Sequence, residues 1–222
     1  MESDGVKELF DGVYRVDGKL ATANLARGYK VYGEELIVRG SIEYRLWNPY
    51  RSKLSAALLN GLKTMRIGGG GSVLYLGAAT GTTASHVSDI VGKDGVVYCV
   101  ELSERNMREL INVCEKRPNM LPILGDAMHT EGYASIVSEC DAIYQDVSAR
   151  EQAQILLTNA RFLKKGGYAY FVIKSQSVDV GMDPEKVFNR ELGSLDGTFE
   201  LVETVQIEPY DELHLFAVLK KL

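Results

Sequence analysis

The sequence contains little cysteine. Its three cysteines, Cys99, Cys114 and Cys140, are far apart, odd in number and without a CxxC pair. This spacing argues against a disulfide framework and against a cysteine-based zinc site, so no metal site is predicted. Each cysteine is interpreted as a small buried apolar residue. A reducing, cytoplasmic environment is the natural expectation for such a chain.

Long apolar runs are also absent. No stretch reaches the roughly 18 apolar residues that a membrane-spanning helix requires, so no membrane association is predicted. Residues 1–5 are polar and acidic, which argues against a signal peptide. With 222 residues, of which 45% are hydrophobic, the chain is expected to form one sizeable globular domain with room for a small appendage.

The chain has no overall excess of positive charge. Its formal net charge is −5, which is unexpected for a protein that grips RNA by itself. Segment 36–71 is locally basic, and its charged residues are Arg39, Arg45, Arg51, Lys53, Lys63 and Arg66 against Glu43. Such a segment is either a patch that positions a polyanion or a solvated helix face.

A short apolar run followed by glycines is the most informative feature that is present. Residues 73–76 have strand-like composition, Gly77 and Gly81 follow, and a helix is predicted from Thr82. A strand, a tight glycine turn and a helix start form the front half of a nucleotide-binding βα unit. Gly77, Ala79 and Gly81 are therefore candidate cofactor-binding residues. The turn is neither GxGxxG nor a P-loop, so a plain connection remains the alternative.

Acidic residues end two further predicted strands. Glu101 ends the run 96–100, and Asp126 follows the run 121–124. Because ligands bind at the carboxyl ends of strands in open α/β sheets, both carboxylates are expected beside the glycine turn. Glu101 is placed to accept hydrogen bonds from a ribose diol, and Asp126 to lie near an adenine amine. The two carboxylates and the glycine turn come without a phosphate-binding motif. They therefore suit S-adenosylmethionine, which has no pyrophosphate, better than NAD.

The order of elements indicates the fold class. Strands are predicted at 73–76, 96–100, 121–124, 141–145, 168–173, 199–206 and 214–219, and helices at 82–91, 103–116, 130–138, 149–163 and 184–194. This alternation is typical of an α/β fold with a parallel sheet and helices on both faces. Only a turn fits between the last two strands, so one strand is expected to be reversed.

The first 45 residues have a different pattern. Two strand-like runs joined by Asp17-Gly18 predict a hairpin within 9–22, and further short runs lie at 29–32 and 36–39. This pattern predicts a small antiparallel β unit at 1–45, packed on a main domain at 46–222. Helical spacing of apolar residues predicts a helix within 49–67, and the glycines at 68–71 are interpreted as a flexible connector.

Charged residues at other element ends suggest catalysis. Asp146 and Lys174 each follow a predicted strand, Lys53 precedes the first helix, and His214 opens the last strand. Such a set suits methyl transfer to a hydroxyl, because a poor nucleophile needs a base or a cation that stabilises the alkoxide. The alternatives are a structural ion pair between Asp146 and Lys174 and a histidine that merely packs.

Two long segments resemble the fibrillarin family. They are YRLWNPYRSKL at 44–54 and VLYLGAATGTTASHVSD at 73–89, with shorter matches at 146–147, 173–174 and 209–214. The resemblance covers most of the chain. It implies a Rossmann-like class I S-adenosylmethionine-dependent methyltransferase that methylates ribose 2′-hydroxyls in pre-rRNA or tRNA, as the catalytic subunit of a box C/D ribonucleoprotein. The implied partners are guide RNA, target RNA, a Nop-type scaffold protein and a kink-turn-binding ribosomal-protein homologue.

The resemblance also implies residue roles. The implied catalytic tetrad is Lys53, Asp146, Lys174 and His214. The implied cofactor residues are Thr82, Thr83, Glu101, Leu102, Asp126 and Ala127, with Asp146, Val147, Ser148 and Ala149 along the methionine end. Because the chain lacks the Gly/Arg-rich tail of eukaryotic members, it looks archaeal.

Three local departures from the family pattern bear on substrate contacts. Residues 148–150 read Ser-Ala-Arg where Ala-Gln-Pro is usual, residues 175–176 read Ser-Gln where Ala-Arg is usual, and Leu213 stands where an acidic residue is common. Two other functions remain as alternatives. A non-catalytic structural subunit of a ribonucleoprotein is disfavoured by the intact tetrad. A small-molecule O-methyltransferase is disfavoured because no compact set of metal ligands is present.

Overall fold

The N-terminal part of the chain forms a five-stranded antiparallel sheet. The computed structural model describes residues 5–222; residues 1–4, part of the acidic segment that argues against a signal peptide, lie outside that range. The strands, in the spatial order β1-β2-β3-β5-β4, are β1 (Val6–Phe10), β2 (Val13–Val16), β3 (Lys19–Ala23), β4 (Leu36–Arg39) and β5 (Ile42–Leu46). Antiparallel pairing of β2 with β3 confirms the hairpin predicted at Asp17-Gly18.

Two expectations for this sheet are wrong. Residues 29–32 are not a strand, because the Glu34 carboxylate binds the N–H groups of Val31 and Tyr32 and curls the segment into a loop. Strand β5 was not predicted, because Glu43 and Arg45 obscure its apolar alternation. Arg45 is nevertheless fully buried, since its charge is neutralised inside the protein.

The main sheet has seven strands. They are β6 (Ser72–Leu76), β7 (Val96–Glu101), β8 (Met120–Leu124), β9 (Cys140–Gln145), β10 (Leu163–Lys174), β11 (Phe199–Gln206) and β12 (His214–Lys221), in the spatial order β11-β12-β10-β9-β6-β7-β8. Strand β12 runs antiparallel to both neighbours, and the other pairs are parallel. This confirms the predicted mostly parallel sheet with one reversed strand.

Helices cover both faces of the main sheet. They are α1 (Lys53–Leu59), α2 (Thr82–Val91), α3 (Glu104–Cys114), α4 (Gln152–Asn159), α5 (Ser175–Val178) and α6 (Pro184–Gly193). Side chains on β6 alternate between the two faces. Val73 and Tyr75 pack with residues of α1, α2 and α3, whereas Leu74 and Leu76 pack with residues of α4 and α6.

Three predicted helices are shorter or absent. The helix expected within 49–67 ends at Leu59, because Asn60 caps it and Gly61 turns the chain with a φ of 94°. The helix expected at 149–163 stops earlier, and β10 begins at Leu163. Residues 130–138 form a single 3₁₀ turn, Thr130–Gly132, and irregular turns, where a glycine, two serines and three β-branched residues weaken helix propensity.

The four glycines at 68–71 form a fixed turn and not the expected flexible connector. The N–H of Gly69 donates to the Asp11 carboxylate at 2.7 Å, and the N–H of Gly70 donates to the Val91 carbonyl at 2.8 Å. Both contacts tie the entry to β6 to other elements. Within residues 5–222, no helix combines the length and apolar character needed to cross a membrane.

A buried group of charges joins the N-terminal sheet to the main sheet. We name Glu34, Arg45, Asp89 and Arg117 the interior ionic cluster. Asp89 on α2 accepts from Arg45 at 2.8 Å and from Arg117 at 2.6 Å, and Arg45 also binds Glu34 at 2.7 Å. These side chains are at most 1% exposed. The two parts of the protein therefore share a buried ionic core, in which Arg117 Nε has no hydrogen-bond partner, while the boundary at residue 45/46 stays a prediction.

Candidate active site

A cavity of about 710 Å³ opens at the carboxyl ends of the central parallel strands. Loops that follow β6, β7, β8 and β9 form its walls, together with Lys53 at the start of α1 and Lys174 at the end of β10. This volume lies within the range of small-molecule sites. Its position is the one expected for ligands in open α/β sheets.

The turn after β6 brings the backbone unusually close to the loop after β9. Gly77 has a φ of 81°, and a Cβ at this position would lie 2.7 Å from the Asp146 carbonyl oxygen. Glycine is therefore required here by both conformation and space. The absence of a side chain keeps the floor of the cavity open beside Asp146.

Glu101 organises the same turn from the end of β7. One carboxylate oxygen accepts from Ala79 N at 2.8 Å, and the other accepts from Ser103 N at 2.8 Å and Asn106 Nδ2 at 3.3 Å. Ala79 is held at a φ of 48°, a left-handed conformation that is uncommon outside glycine. Because each carboxylate oxygen offers about two acceptor sites, Glu101 retains capacity for a ligand hydroxyl.

Charged side chains converge at the opposite end of the cavity, which is lined by Lys53, Asp146 and Lys174 but not by Asp211 or His214. We name Lys53, Asp146, Lys174, Asp211 and His214 the cleft cluster. Asp146 Oδ1 lies 2.7 Å from Lys174 Nζ, and Asp146 Oδ2 lies 3.2 Å from Lys53 Nζ. Asp211 lies 3.4 Å from Lys53 Nζ through Oδ2 and 3.0 Å from His214 Nδ1 through Oδ1. The side chains are 13–36% exposed, so water and a substrate can reach them.

Burial and neighbouring charges set the protonation of this cluster. Burial alone would raise the pKa of Asp146, but the ammonium groups of Lys174 and Lys53 outweigh it and hold that pKa below its usual value. Burial likewise opposes the charge on Lys53, yet Asp146 and Asp211 raise its pKa. Burial lowers the pKa of His214, and the opposing effect of Asp211 only partly offsets this. At neutral pH His214 is therefore the uncharged member.

Most of the predicted cofactor residues lie together. The cavity is lined by Gly77, Ala79, Thr82, Thr83, Glu101, Leu102, Asp126, Ala127, Asp146, Val147, Ser148 and Ala149. Gly81 does not line it. It begins α2 with a φ of 90°, and a Cβ there would lie 3.0 Å from Leu110 Cδ1, so packing and backbone conformation explain this glycine.

The basic segment 36–71 does not form one exposed patch. Arg45 is buried in the interior ionic cluster, and Lys53 belongs to the cleft cluster. Arg39 pairs with Asp17. Arg51, Lys63 and Arg66 remain exposed. Among residues 5–222 no group of three or more His, Cys, Asp or Glu side chains is arranged to hold a metal ion.

The family of the chain follows from comparison with known proteins. A model of the fibrillarin family matches residues 5–221. The chain belongs to the fibrillarin family. A fibrillarin-like rRNA/tRNA 2′-O-methyltransferase of Thermococcus gammatolerans is 51% identical over 221 residues, which cover 97% of this chain and 98% of the relative.

Solved fibrillarin structures share the fold. The Methanococcus jannaschii fibrillarin, described as a pre-rRNA processing protein, has a TM-score of 0.94 at 45% identity and covers 100% of this chain and 99% of its own. Aeropyrum pernix fibrillarin, with natively bound S-adenosyl-L-methionine, has a TM-score of 0.88 at 45% identity, covering 96% and 97%. A fibrillarin in complex with Nop5p has a TM-score of 0.88 at 38% identity, covering 97% and 100%.

For this fibrillarin-family chain, the resemblance did not single out Asp211. It lies in the loop between β11 and β12, where neither periodicity nor a strand end draws attention to it. The only sequence signal was its place in the short match at 209–214, three residues before His214. Its contacts with Lys53 and His214 became visible only once these segments were folded together.

Proposed function

We propose that the protein transfers a methyl group from S-adenosylmethionine to ribose 2′-hydroxyls of rRNA or tRNA, as the catalytic subunit of a box C/D guide ribonucleoprotein. The proposal rests on one observation: a single cavity contains two different sets of residues. Cofactor-type strand-end residues line one end, and the Lys53, Asp146 and Lys174 charges occupy the other.

The residues present fit S-adenosylmethionine. The floor at Gly77 is kept clear of a Cβ, and Glu101 presents acceptors for a ribose diol. Ala127 and Leu102 supply apolar surface beside Asp126, which suits an adenine ring. Asp146, Val147, Ser148 and Ala149 line the part of the cavity that would take the methionine end of the cofactor. When bound, the cofactor supplies an electrophilic methyl group on a sulfonium centre.

Lys174 is the residue best placed to act on the attacking hydroxyl. Its Nζ is held by the Asp146 carboxylate at 2.7 Å, the Asp146 carbonyl at 3.2 Å and Ser148 Oγ at 3.1 Å. The ammonium form of Lys174, fixed in this way, stabilises negative charge on the 2′-oxygen, whereas its neutral amine form would accept the hydroxyl proton. Asp146 orients Lys174 and Lys53, and His214 completes the polar wall. The leaving group is neutral and needs no acid.

The partners belong to the same proposal. A relative is named as an rRNA/tRNA 2′-O-methyltransferase, and a family member forms a complex with Nop5p. We propose that this chain likewise binds a Nop-type scaffold protein, and that guide RNA and a kink-turn-binding protein complete the assembly. The net charge of −5 supports this, because a chain that binds few phosphates by itself needs partners to hold RNA.

We also propose a cytoplasmic location, consistent with the three buried free cysteines. No oxidising compartment is needed to stabilise the fold, since none of these cysteines is paired.

The test is methylation of a target RNA by the complete assembly. Radioactive methyl transfer from S-adenosylmethionine is measured with all components, and again with guide RNA, scaffold protein or kink-turn-binding protein left out. We expect transfer only in the complete reaction, at one ribose chosen by the guide. Efficient methylation by the isolated chain would contradict the guide-dependent part of the proposal.

Two further arms separate the alternative functions. Calorimetry of cofactor binding tests the non-catalytic alternative, since a purely structural subunit would show no binding. Adding a chelator tests the small-molecule, metal-dependent alternative. We expect activity to survive chelation of free divalent metal once the assembly is formed.

A further inference from the structure

Asp211 contacts two residues of the cleft cluster, Lys53 and His214. Its Oδ2 lies 3.4 Å from Lys53 Nζ, and its Oδ1 lies 3.0 Å from His214 Nδ1. Lys53 starts α1, whereas His214 starts β12. The two oxygens of one carboxylate therefore link side chains from distant parts of the chain, next to the strand pair in which His214 lies opposite Lys174.

The loop that carries Asp211 is anchored at both ends of the cluster. The Leu213 carbonyl accepts from Ser175 N at 3.2 Å and from Ser175 Oγ at 2.9 Å, directly after Lys174. On the other side, the Tyr210 ring packs edge-on against Tyr50 with centroids 5.1 Å apart. Leu213 has a φ of 61°, a left-handed conformation that is strained for an L-residue other than Asn or Asp. The two serine bonds offset this strain and fix the direction of the loop.

The contacts of His214 define its tautomer. Nδ1 lies 2.6 Å from the Glu212 carbonyl and 3.0 Å from Asp211 Oδ1, and both of these oxygens are acceptors. Nδ1 therefore carries the hydrogen, and Nε2 of the neutral ring is left as an acceptor. A carboxylate next to Nδ1 both orients the ring and makes Nε2 more basic.

Asp211 also balances the charge of the cluster. Lys53 and Lys174 contribute two positive charges, and Asp146 contributes one negative charge. Asp211 supplies the second. Without it, the neutral His214 would face a net positive cluster made of Lys53, Lys174 and Asp146, with only the Glu212 carbonyl as a partner.

We propose that Asp211 is a positioning residue, which orients His214 and Lys53 toward the reacting ribose and keeps His214 in the Nδ1–H form. The proposal rests on the function proposed above. It assigns a role to an acidic residue outside the Lys53, Asp146, Lys174 and His214 tetrad. Asp211 acts through these neighbours and need not touch the substrate.

The test compares Asp211→Asn with wild type in the assembled guide complex. The variant keeps one oxygen acceptor and loses the charge. We expect the single-turnover rate to fall roughly 10-fold or more, because catalytic side chains lose their alignment. The pKa of His214, followed by NMR of the three histidines, should fall by about one unit. Cofactor Kd should change less than about twofold, because Asp211 does not line the cofactor cavity.

Two controls sharpen the result. Glu208→Gln removes the same charge from an exposed position in the same loop and should leave both readouts unchanged. Asp211→Glu retains the charge and should recover part of the rate and of the His214 pKa. Thermal melting of each variant checks that the loop change has not unfolded the protein.

The outcomes separate the two proposals. A wild-type assembly that methylates, with Asp211→Asn unchanged in rate and His214 titration, overturns the positioning role. An equal effect of Glu208→Gln also overturns it, because the effect would then be long-range charge. If the wild-type assembly does not methylate RNA, the proposed function fails, and the His214 titration still decides whether Asp211 holds the histidine.

Discussion

The interior ionic cluster and the cleft cluster have similar charges, but they differ in the type of cation and in solvent exposure. Each contains two cations and two carboxylates next to a histidine, His86 in the first and His214 in the second. The interior cluster uses Arg45 and Arg117 and is at most 1% exposed. The cleft cluster uses lysines, and its side chains are 13–36% exposed.

The choice of cation explains the difference. A guanidinium has a rigid fork of donors that suits fixed partners, whereas an ammonium is a compact charge that can adjust to a substrate. Arg45 uses its donors on Glu34, Asp89 and Ser85, all inside the protein. Lys174, by contrast, faces a cavity. The interior cluster therefore stabilises the junction of the two sheets, and the cleft cluster is available for chemistry.

The largest expected effect is on stability, at Asp89. Asp89→Asn leaves the buried Arg45 and Arg117 with only Glu34 as a counter-charge. Breaking a buried ion pair in this way typically costs about 3–5 kcal/mol. Urea unfolding should show this loss, while the matched exposed variant Asp94→Asn should stay within about 0.5 kcal/mol of wild type. A change below about 1 kcal/mol in Asp89→Asn would mean that the interior cluster does not hold the sheets together.

The next effect should be on chemistry alone, at Lys174. Lys174→Ala should lower the single-turnover rate in the assembled complex by roughly 100-fold or more, as expected for loss of an acid–base or electrostatic group. Melting temperature and cofactor Kd should change little, because the lysine faces the nucleophile. Retention of near-normal chemistry by an assembled variant would show that positioning alone drives the reaction.

A smaller effect is expected on cofactor binding, at Glu101. Glu101→Ala removes a charge-assisted acceptor for the cofactor ribose, and it also removes the bonds that hold Ala79 and Ser103. The cost to binding should be about 1.5–3 kcal/mol. Calorimetric Kd is compared with the melting temperature of the apo protein. An unchanged Kd would remove Glu101 from the cofactor site.

The smallest effect concerns pH and His86. Burial, and then the charges of Arg45 and Arg117, lower the pKa of His86 well below its ordinary value. The unfolded chain therefore binds an extra proton below about pH 6.5, and stability falls as the pH drops from there toward the folded-state pKa. His86→Gln, which keeps a donor and an acceptor for Thr22 and Tyr32, should remove this slope, at most about 1.4 kcal/mol per pH unit.

The His86 prediction is measured as a difference. Urea unfolding at pH 5, 6 and 7 gives the change in unfolding free energy with pH for wild type and for the variant. The contributions of other titrating groups cancel in the difference between the two. If the unfolding free energies of wild type and variant changed equally with pH, His86 would take up its proton equally in the folded and unfolded protein, which contradicts the prediction. The ring stacks on Trp47 with centroids 4.7 Å apart, so a uniform loss of stability in the variant is expected at every pH.

Much of the cofactor end could be predicted from the chain because its signals are local. A strand-like run, a glycine turn and acidic strand ends can each be recognised within a few residues, and parallel strands bring those ends to one edge. Gly77 and Glu101 are predicted in this way, and both line the cavity. Gly81 has the same signature, yet it serves helix packing, because a short motif cannot tell a close ligand from a close side chain.

The incorrect predictions concern residues whose long-range contacts outweigh the local sequence pattern. Arg45 counted as surface charge, since charged residues are rarely buried without a partner. Residues 130–138 are predicted as a helix between two strands, but they turn irregularly and bury Tyr133, whose hydroxyl donates to Asn159 Oδ1 at 2.6 Å. Neither outcome can be read from the neighbouring sequence.

The sequence by itself determined the strand order in the chain, the reversed last strand, the cofactor turn and the family. These depend on propensity, periodicity and motifs, which act over short distances along the chain. Only the tertiary structure decided which charges pair. Arg45 meets Asp89 across 44 positions, and Lys53 meets Asp146 across 93. Coulombic attraction and burial depend on distance in space, so the same residue types became a closed support in one place and an open reaction site in the other.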